Sequence, residues 1–421
     1  MKSKRFFLIT ILLLIIGFGL FFIYGNSKKS RDIEKFVEGN VNNVIIDYPA
    51  QITSLNAKIK DLNRTPIGSI ELSDDRQYLA TDTISPETND YNDIQTYLFD
   101  IREGTLTEIN GTIASWSGSS LWVTNYETKV ATWYNLENRI LEVITNFPIG
   151  NEGYYTYIVS PDEQKTAVSG NGVSIIERDG TISKISEIES AYVWTSDNTT
   201  LYGTIPNPER EIIPEEEYYG PLDNLLVKYN LDNRQTVIID SVDVDSPQDL
   251  SWLEQDIQLL VNSGFDDASF DQVYDIENQI ITDIGETSGA LSGRYLDEKN
   301  QELVLIGEFF PEDFDYNTNP VFTNELRVYG KNAILDYQKI FENNLEFIFF
   351  SIEQVNNTFW ILARNQSTET YGLMKLDRDN GSLVMTSLQD DQNFQFAFLN
   401  NTTVIIQRNT EFEIFDTKKI Q

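Results

Sequence analysis

The sequence predicts an all-β fold made of repeated four-stranded units. Beyond residue 40 it shows no sustained 3.6-residue apolar period, and short runs rich in Ile, Val, Thr, Tyr and Phe alternate with polar turns instead. Two landmarks recur along these runs. A repeat of about 40–50 residues that carries four strands is typical of a propeller blade, so the predicted fold is a single β-propeller.

The first landmark is an apolar or aromatic residue that ends one strand before a small polar turn. Its spacing predicts eight blades, and a seven-bladed ring is the alternative if one of the longer units is misjudged. The landmark positions are Leu72, Trp116, Val159, Trp194, Trp252, Tyr295, Phe350 and Phe398.

The second landmark is an aromatic or apolar residue followed by Asp or Asn, then a turn and one more strand. Asp and Asn suit such turns because their side chains bond nearby backbone groups. This pattern predicts the connection between the third and fourth strands of a blade. It occurs at Phe99-Asp100, Tyr134-Asn135, Tyr229-Asn230, Tyr274-Asp275, Leu376-Asp377 and Phe415-Asp416.

The eighth unit supplies only three strands, while an unassigned run, Asn43–Tyr48, precedes the first unit. We therefore expect residues 43–48 to form the outer strand of the last blade, so that the propeller domain spans residues 43–421 without an open sheet edge. A strand in that place would enter from the face that carries the short turns. The alternative is that residues 43–48 belong to a loose linker.

The hairpin around Val159 carries a family resemblance. Ser160-Pro161-Asp162, followed by Lys165, resembles the Ser-Pro-Asp-Gly-Lys turn of TolB-like and WD-repeat-like bacterial propellers, although Glu163 stands where that family has Gly. The repeat covers about residues 68–421. The resemblance implies the fold, and it implies a protein that binds partners or serves as the propeller half of a peptidase of the dipeptidyl-peptidase type.

The N-terminal region is uncharged and apolar from Phe6 to Tyr24. A helix over these residues would rise about 28 Å, close to the thickness of the bilayer core. We predict a basic tail at residues 1–5, a transmembrane anchor at 6–24 and a linker at 25–42; a cleaved signal peptide and a buried core helix are the alternatives. Basic residues flank both ends equally, and we expect a single-pass protein of the cell membrane with the propeller outside the cytoplasm.

Composition excludes several kinds of chemistry. The chain has no Cys and no His, which rules out disulfides, thiol nucleophiles, Ser-His-Asp triads and His-ligated metals. It has 66 acidic and 31 basic residues, for a net charge of −35. Such a surface repels nucleic acid and attracts cations or basic partners, so we predict no nucleic-acid partner.

The long connections predict where a ligand binds. They are residues 85–93, 205–224, 264–269 and 309–323, all assigned to the connection between the second and third strands of a blade, and therefore to one face. These segments combine carboxylates with aromatic rings, which suit sugars or cations. The candidate ligand-binding residues are Glu215, Glu216, Glu217, Tyr218, Tyr219, Asp266, Asp267, Phe310, Asp313, Asp315 and Tyr316.

The predicted function is a membrane-anchored, non-catalytic binding module for an extracellular protein or glycan. The alternative is a carbohydrate-active enzyme that uses a carboxylate pair; the lack of His, Cys and a hydrolase domain favours the binding module. No cofactor is predicted. Asp313, Asp315 and Asn317 resemble half of a calcium loop, but Thr318 and Asn324 replace its Gly and Glu.

Overall fold

A computed structural model describes residues 46–419 with internal gaps. The gaps are residue 74, residues 88–92, 118–119, 126, 137–139, 146–155, 171, 208–223, 240–246, 266–267, 289–292, 298–300, 310–322, 342–344, 356, 366–369, 390–393 and 409–410. The described chain forms an all-β, eight-bladed propeller, in which the strands of each blade, a to d in chain order, pair antiparallel with their neighbours.

The first half of the ring contains blades 1 to 4. Their strands are β1 Thr65–Leu72, β2 Tyr78–Ile84, β3 Gln95–Asp100 and β4 Thr105–Asn110; β5 Thr112–Ser117, β6 Ser120–Asn125, β7 Val130–Asn135 and β8 Ile140–Thr145; β9 Thr156–Val159, β10 Lys165–Ser169, β11 Val173–Glu177 and β12 Ile182–Ile185; and β13 Ser190–Trp194, β14 Thr200–Pro206, β15 Asn224–Asn230 and β16 Gln235–Ile238.

The second half contains blades 5 to 8. Their strands are β17 Pro247–Glu254, β18 Gln258–Phe265, β19 Ala268–Asp275 and β20 Ile280–Ser288; β21 Gly293–Asp297, β22 Glu302–Phe309, β23 Thr323–Tyr329 and β24 Leu335–Ile340; β25 Leu345–Val355, β26 Thr358–Asn365, β27 Thr370–Asp377 and β28 Leu383–Gln389; and β29 Phe394–Asn400, β30 Thr403–Arg408 and β31 Glu411–Asp416. Short 3-10 helices follow β23 and β31, at Lys331–Ala333 and Thr417–Lys419. Blades 5 and 6 form one continuous sheet, because Thr287 of β20 pairs with Phe309 of β22.

Both sequence landmarks mark strand ends in the structure. Seven of the eight positions of the first landmark lie within the last three residues of strand a, and all six positions of the second end strand c. The exception is Phe350, which lies inside β25. Phe347 pairs with Ala363 and Ile352 with Ile361, so a bulge inserts extra residues and the strand continues to Val355.

Tryptophans of the first landmark connect the innermost strands of neighbouring blades. The Trp194 indole Nε1 donates to the carbonyl of Ile158 at 2.8 Å, and the Trp252 indole Nε1 donates to the carbonyl of Trp194 at 2.7 Å. Blades 3, 4 and 5 are therefore joined at the ends of their inner strands by side chains that also bury a large apolar surface.

The hydrophobic core of the described residues divides into eight clusters, one at each junction between consecutive blades. Trp122 and Trp133 of blade 2, for example, pack edge to face and share a cluster with Tyr157 of blade 3. This arrangement gives the fold no single centre, so each blade depends on its two neighbours.

Helix α1, Tyr48–Asp61, closes the junction between blades 8 and 1. The prediction of a closing strand at residues 43–48 is wrong for the described part: residues 43–45 lie outside it, Ile46 and Asp47 are not in a strand, and Tyr48 begins the helix. The expectation that no helical period follows residue 40 is wrong for the same segment. Asp47 caps the helix by accepting from Ala50 N at 3.2 Å, and Pro49 suits its first turn.

The helix takes the place of a fourth strand in blade 8. Its buried residues Ile52, Leu55 and Ile59 join a cluster that includes Phe412 of β31. The Asn56 side-chain amide forms two hydrogen bonds with the backbone of Phe412, at the open edge of β31. It donates to the Phe412 carbonyl at 2.7 Å and accepts from the Phe412 N–H at 3.0 Å. A side-chain amide thus satisfies an edge that a strand would otherwise cover.

The two ends of the blades carry different connections. We call the end with the b–c and d–a connections the loop face, and the end with the a–b and c–d turns the turn face. Near the start of α1, Gln51 lies against Gly104 in a c–d turn, where an added Cβ would be 2.6 Å from Gln51 Oε1. Beyond its end, Asn63 donates to Glu87 in a b–c connection at 3.1 Å. The described chain therefore begins at the turn face.

Candidate binding face

The predicted ligand-binding residues lie outside the described residues. This applies to all eleven of them and to Asn317 of the partial calcium loop. The structure does describe the strands from which their connections emerge, and these strands belong to the consecutive blades 4, 5 and 6.

Two of the connections start from strand pairs that are complete up to their last residues. In blade 4, β14 and β15 pair as far as Pro206 with Asn224, and in blade 6, β22 and β23 pair as far as Phe309 with Thr323. Both connections are therefore held at rigid, hydrogen-bonded ends of the same face.

The blade 5 connection is not a long loop, contrary to the expectation for residues 264–269. Gly264 pairs with Ser269 and Phe265 with Ala268, which leaves only residues 266–267 between the strands. The hydrogen-bonded ladder extends almost to the end of this hairpin.

A polar network supports the base of the blade 6 connection. The Glu325 carboxylate accepts from Thr323 Oγ1 at 2.5 Å, from Arg327 Nε at 2.7 Å and from Gln338 Nε2 at 2.7 Å. Burial alone would raise the pKa of Glu325, but these hydrogen bonds and the charge of Arg327 hold it below its usual value. The carboxylate is thus ionised and fully engaged at neutral pH.

Arg327 connects this network to the apolar cluster between blades 5 and 6. Its guanidinium carbon lies 4.0 Å from the centroid of the Phe309 ring, at the last residue of β22. Phe309 and Tyr329 belong to the apolar cluster between blades 5 and 6. The network therefore fixes both ends of the blade 6 connection and the blade junction beside it.

Blade 5 has a smaller polar cluster at the same face. The Asn262 amide Nδ2 donates to Ser269 Oγ at 2.7 Å and to Asp271 Oδ1 at 3.1 Å. Asp271 is buried, in the third strand of the blade. These bonds hold the two strands of the hairpin that carries residues 266–267.

The inner strands carry further polar groups that sequence patterns did not reveal. Tyr192 is the extra residue of a bulge in β13, and burial, with the nearby Asp249, raises the pKa of its phenol to about 12. Asp82 of β2 bonds the backbone of blade 2, with Oδ1 accepting from Ile113 N at 3.1 Å. Single polar residues in a β pattern carry no sign of such contacts, because their partners are distant in sequence.

Within the described part of the chain, no group of three or more acidic side chains is placed to hold a metal ion, and no helix has both the length and the apolar character needed to cross a bilayer. The predicted anchor, residues 6–24, lies outside the described residues.

Comparisons with known proteins bear on the fold. No family model and no curated protein sequence matches the chain. Among solved structures, dipeptidyl peptidase 4 of Porphyromonas gingivalis superposes with a TM-score of 0.50 at 13% identity, over 90% of this chain and 61% of that one. The chain thus spans less than two thirds of the length of this peptidase.

Two other similar structures have lower TM-scores. An oligogalacturonate lyase of Vibrio parahaemolyticus gives 0.45 at 12% identity, over 84% of this chain and 97% of that one. A prolyl endopeptidase gives 0.44 at 10% identity, over 86% of this chain and 56% of that one. At such identities the likeness concerns the fold alone.

Proposed function

We propose that the protein is a membrane-anchored, non-catalytic binding module, and that its loop face binds an extracytoplasmic partner of cationic or sugar character. The observation that carries the proposal is the pair of long connections in blades 4 and 6. Both emerge from fully paired strand ends of the same face. Their sequences, PEREIIPEEEYY at 208–219 and FFPEDFDYN at 309–317, supply acidic and aromatic groups for contact.

The course of helix α1 supports an orientation in which the loop face is directed away from the membrane. The helix begins at the turn face, and the apolar run of residues 6–24 lies upstream of it in the sequence. An anchor formed by that run would bring the turn face towards the membrane and direct the loop face away from it. The linker can reach up to about 60 Å when extended, so it favours this orientation without fixing it.

Neutralising the acidic connections is expected to weaken binding. We predict that a variant with Glu215, Glu216, Glu217, Asp313 and Asp315 changed to Gln or Asn binds a lysine-rich peptide about tenfold more weakly, because charge complementarity steers and holds a cationic partner. Binding by the unmodified protein should weaken with added salt, since screening acts over about 10 Å at 0.1 M. Both effects can be measured by titration calorimetry.

The control removes the same charge from the opposite face. It changes five acidic residues of the turn face to Gln or Asn, namely Glu103, Asp179, Asp232, Glu277 and Asp336. This variant should bind the peptide nearly as well as the unmodified protein. Equal affinities for the two variants would refute a role for the loop face. Enzymatic turnover of any glycan in a panel would refute the non-catalytic binding module and support the carbohydrate-active enzyme instead.

Protease treatment of intact cells tests the localisation. We expect externally added protease to remove the propeller and leave a small membrane-bound fragment, because residues 6–24 would hold the chain in the bilayer with the domain outside. The measurement is immunoblotting with tags at both ends of the full chain. Complete protection of the domain until the cells are lysed would place it in the cytoplasm.

A further inference from the structure

The junction between blades 1 and 2 is the tightest described connection between consecutive blades. Only Gly111 separates β4 from β5. Its φ is +127°, and a Cβ on it would lie 2.4 Å from the carbonyl oxygen of Thr124. No other residue fits this position without displacing backbone. Hydrogen bonds to Gly111 and its neighbours therefore hold the two blades together at a place where the backbone has little room to move.

Four polar groups meet at this junction: the Thr96 hydroxyl, the Asp82 carboxyl group, the Gly111 carbonyl and the Ile113 N–H. Thr96 Oγ1 lies 2.7 Å from Asp82 Oδ1 and 2.9 Å from the Gly111 carbonyl oxygen. The Ile113 N–H is shared between the two Asp82 oxygens, at 3.1 and 3.3 Å. A hydroxyl has one hydrogen, so Thr96 cannot donate to an ionised Asp82 and to Gly111 at the same time.

Protonation of Asp82 resolves this competition. A neutral carboxyl group can donate to Thr96 Oγ1, which frees the Thr96 hydrogen for the Gly111 carbonyl, while the second carboxyl oxygen still accepts from Ile113. We propose that Asp82 is a proton-responsive tie between blades 1 and 2, which joins them fully when it is protonated and loosens their junction when it ionises.

Another blade junction has a neutral group in the equivalent place. Asp82 follows Ser73 of its a–b turn by nine residues, as Ser169 follows Ser160 in blade 3. Ser169 Oγ accepts from Ala191 N at 2.8 Å and lies 3.2 Å from the Ala191 carbonyl. A hydroxyl therefore suffices to join consecutive blades, and what distinguishes Asp82 is that it can gain or lose a proton.

The surroundings favour the neutral carboxyl group. Burial raises the pKa of Asp82 to about 7, against opposing hydrogen bonds from Thr96 and Ile113, and the charge of Glu71 adds to the rise. Among the described residues, Glu71 on β1 is the charged group that acts on Asp82, whereas β3 and β5 present the Thr96 hydroxyl and the Ile113 backbone. The proton is thus held to a higher pH in the folded protein than in the unfolded chain.

The sign of the pH dependence follows from this difference. The folded state binds more protons than the unfolded state between the unfolded pKa near 4 and the folded pKa near 7, so stability is lost as pH rises through this window. Above about pH 7 the loss is complete. The effect is opposite in sign to that of an ion-paired carboxylate.

The test uses the full chain and an Asp82→Asn variant, whose amide can donate to Thr96 and accept from Ile113 at every pH. Infrared difference spectra of the unmodified protein should show a protonated-carboxyl C=O band that disappears near neutral pH, and this band should be absent from the variant. The thermal midpoint of the unmodified protein should fall by a few °C relative to that of the variant between pH 5 and pH 8. A band that persists in Asp82→Asn, or no such band in the unmodified protein, overturns the proposal.

A second variant keeps the test decisive if Asp82→Asn does not fold. Glu71→Gln removes the like charge next to Asp82, so the midpoint of the infrared band should move to lower pH. An unchanged or higher midpoint contradicts the proposal. Asp283→Asn, at an exposed carboxylate of blade 5, is the matched control and should leave the band and its midpoint as they are.

Discussion

Replacing Leu55 by Ala is expected to destabilise the closed ring by about 2–5 kcal/mol, the usual cost of deleting a buried leucine side chain. Leu55 is fully buried in the cluster that joins α1 to blades 8 and 1. The cavity would open at the junction between the first and last blades. Urea unfolding should show a lower midpoint, with the free energy taken from the shift at constant slope.

The control for this prediction is a leucine just beyond the same helix. Leu62 is 46% exposed, so Leu62→Ala should change the free energy of unfolding by less than about 0.5 kcal/mol. Asn56→Ala should cost about 1–3 kcal/mol, because it removes the partner of both polar groups of Phe412. Equal stabilities of Leu55→Ala and Leu62→Ala would show that α1 does not close the ring.

The sequence was sufficient to predict the repeated part of the fold, because six of the eight blades end the third strand with an Asp or Asn that suits the following turn. Asp100 shows the reason: its Oδ1 accepts from the backbone N–H groups of Arg102 and Glu103 at 3.0 and 2.9 Å. Such an interaction is contained in four consecutive residues, so a short pattern predicts it.

The closure could not be predicted in the same way. Residues 43–48 are rich in β-branched side chains and resemble a strand, while the helix after them buries only three residues, Ile52, Leu55 and Ile59. The capping Asp47 and the early Pro49 did mark a helix start. A helix closes the ring here because it fits between blades 8 and 1, and that fit depends on the whole ring and not on the local sequence.

The candidate face was also predictable only in part from the sequence. The composition of the long connections identified acidic and aromatic residues, but not the supporting network beneath them. Glu325 and Arg327 are two residues apart and so lie on the same side of β23. This spacing in the sequence indicates an ion pair. Their partner Gln338 lies on the next strand, and pairing across strands requires the register.

Replacing Arg327 by Leu is expected to cost about 3–5 kcal/mol at neutral pH, because it leaves the buried Glu325 carboxylate without its charged partner. The Glu325 side chain is 5% exposed and would keep only the neutral donors Thr323 and Gln338. Without Arg327, burial raises the pKa of Glu325, so the carboxyl group takes up a proton at higher pH. The loss of stability relative to the unmodified protein should therefore shrink as pH falls towards about 4.

Two further variants separate the buried charge from the lost packing against Phe309. Glu325→Gln combined with Arg327→Leu removes both charges and should recover a large part of the stability, since a neutral amide is far less costly to bury than an unpaired carboxylate. Lys331→Met breaks the Lys331–Glu254 pair, whose lysine is 53% exposed, and should cost less than about 1 kcal/mol. If the double variant is as unstable as Arg327→Leu at neutral pH, the contact with the Phe309 ring, at 4.0 Å, is what stabilises the base of the blade 6 connection, and the carboxylate is not.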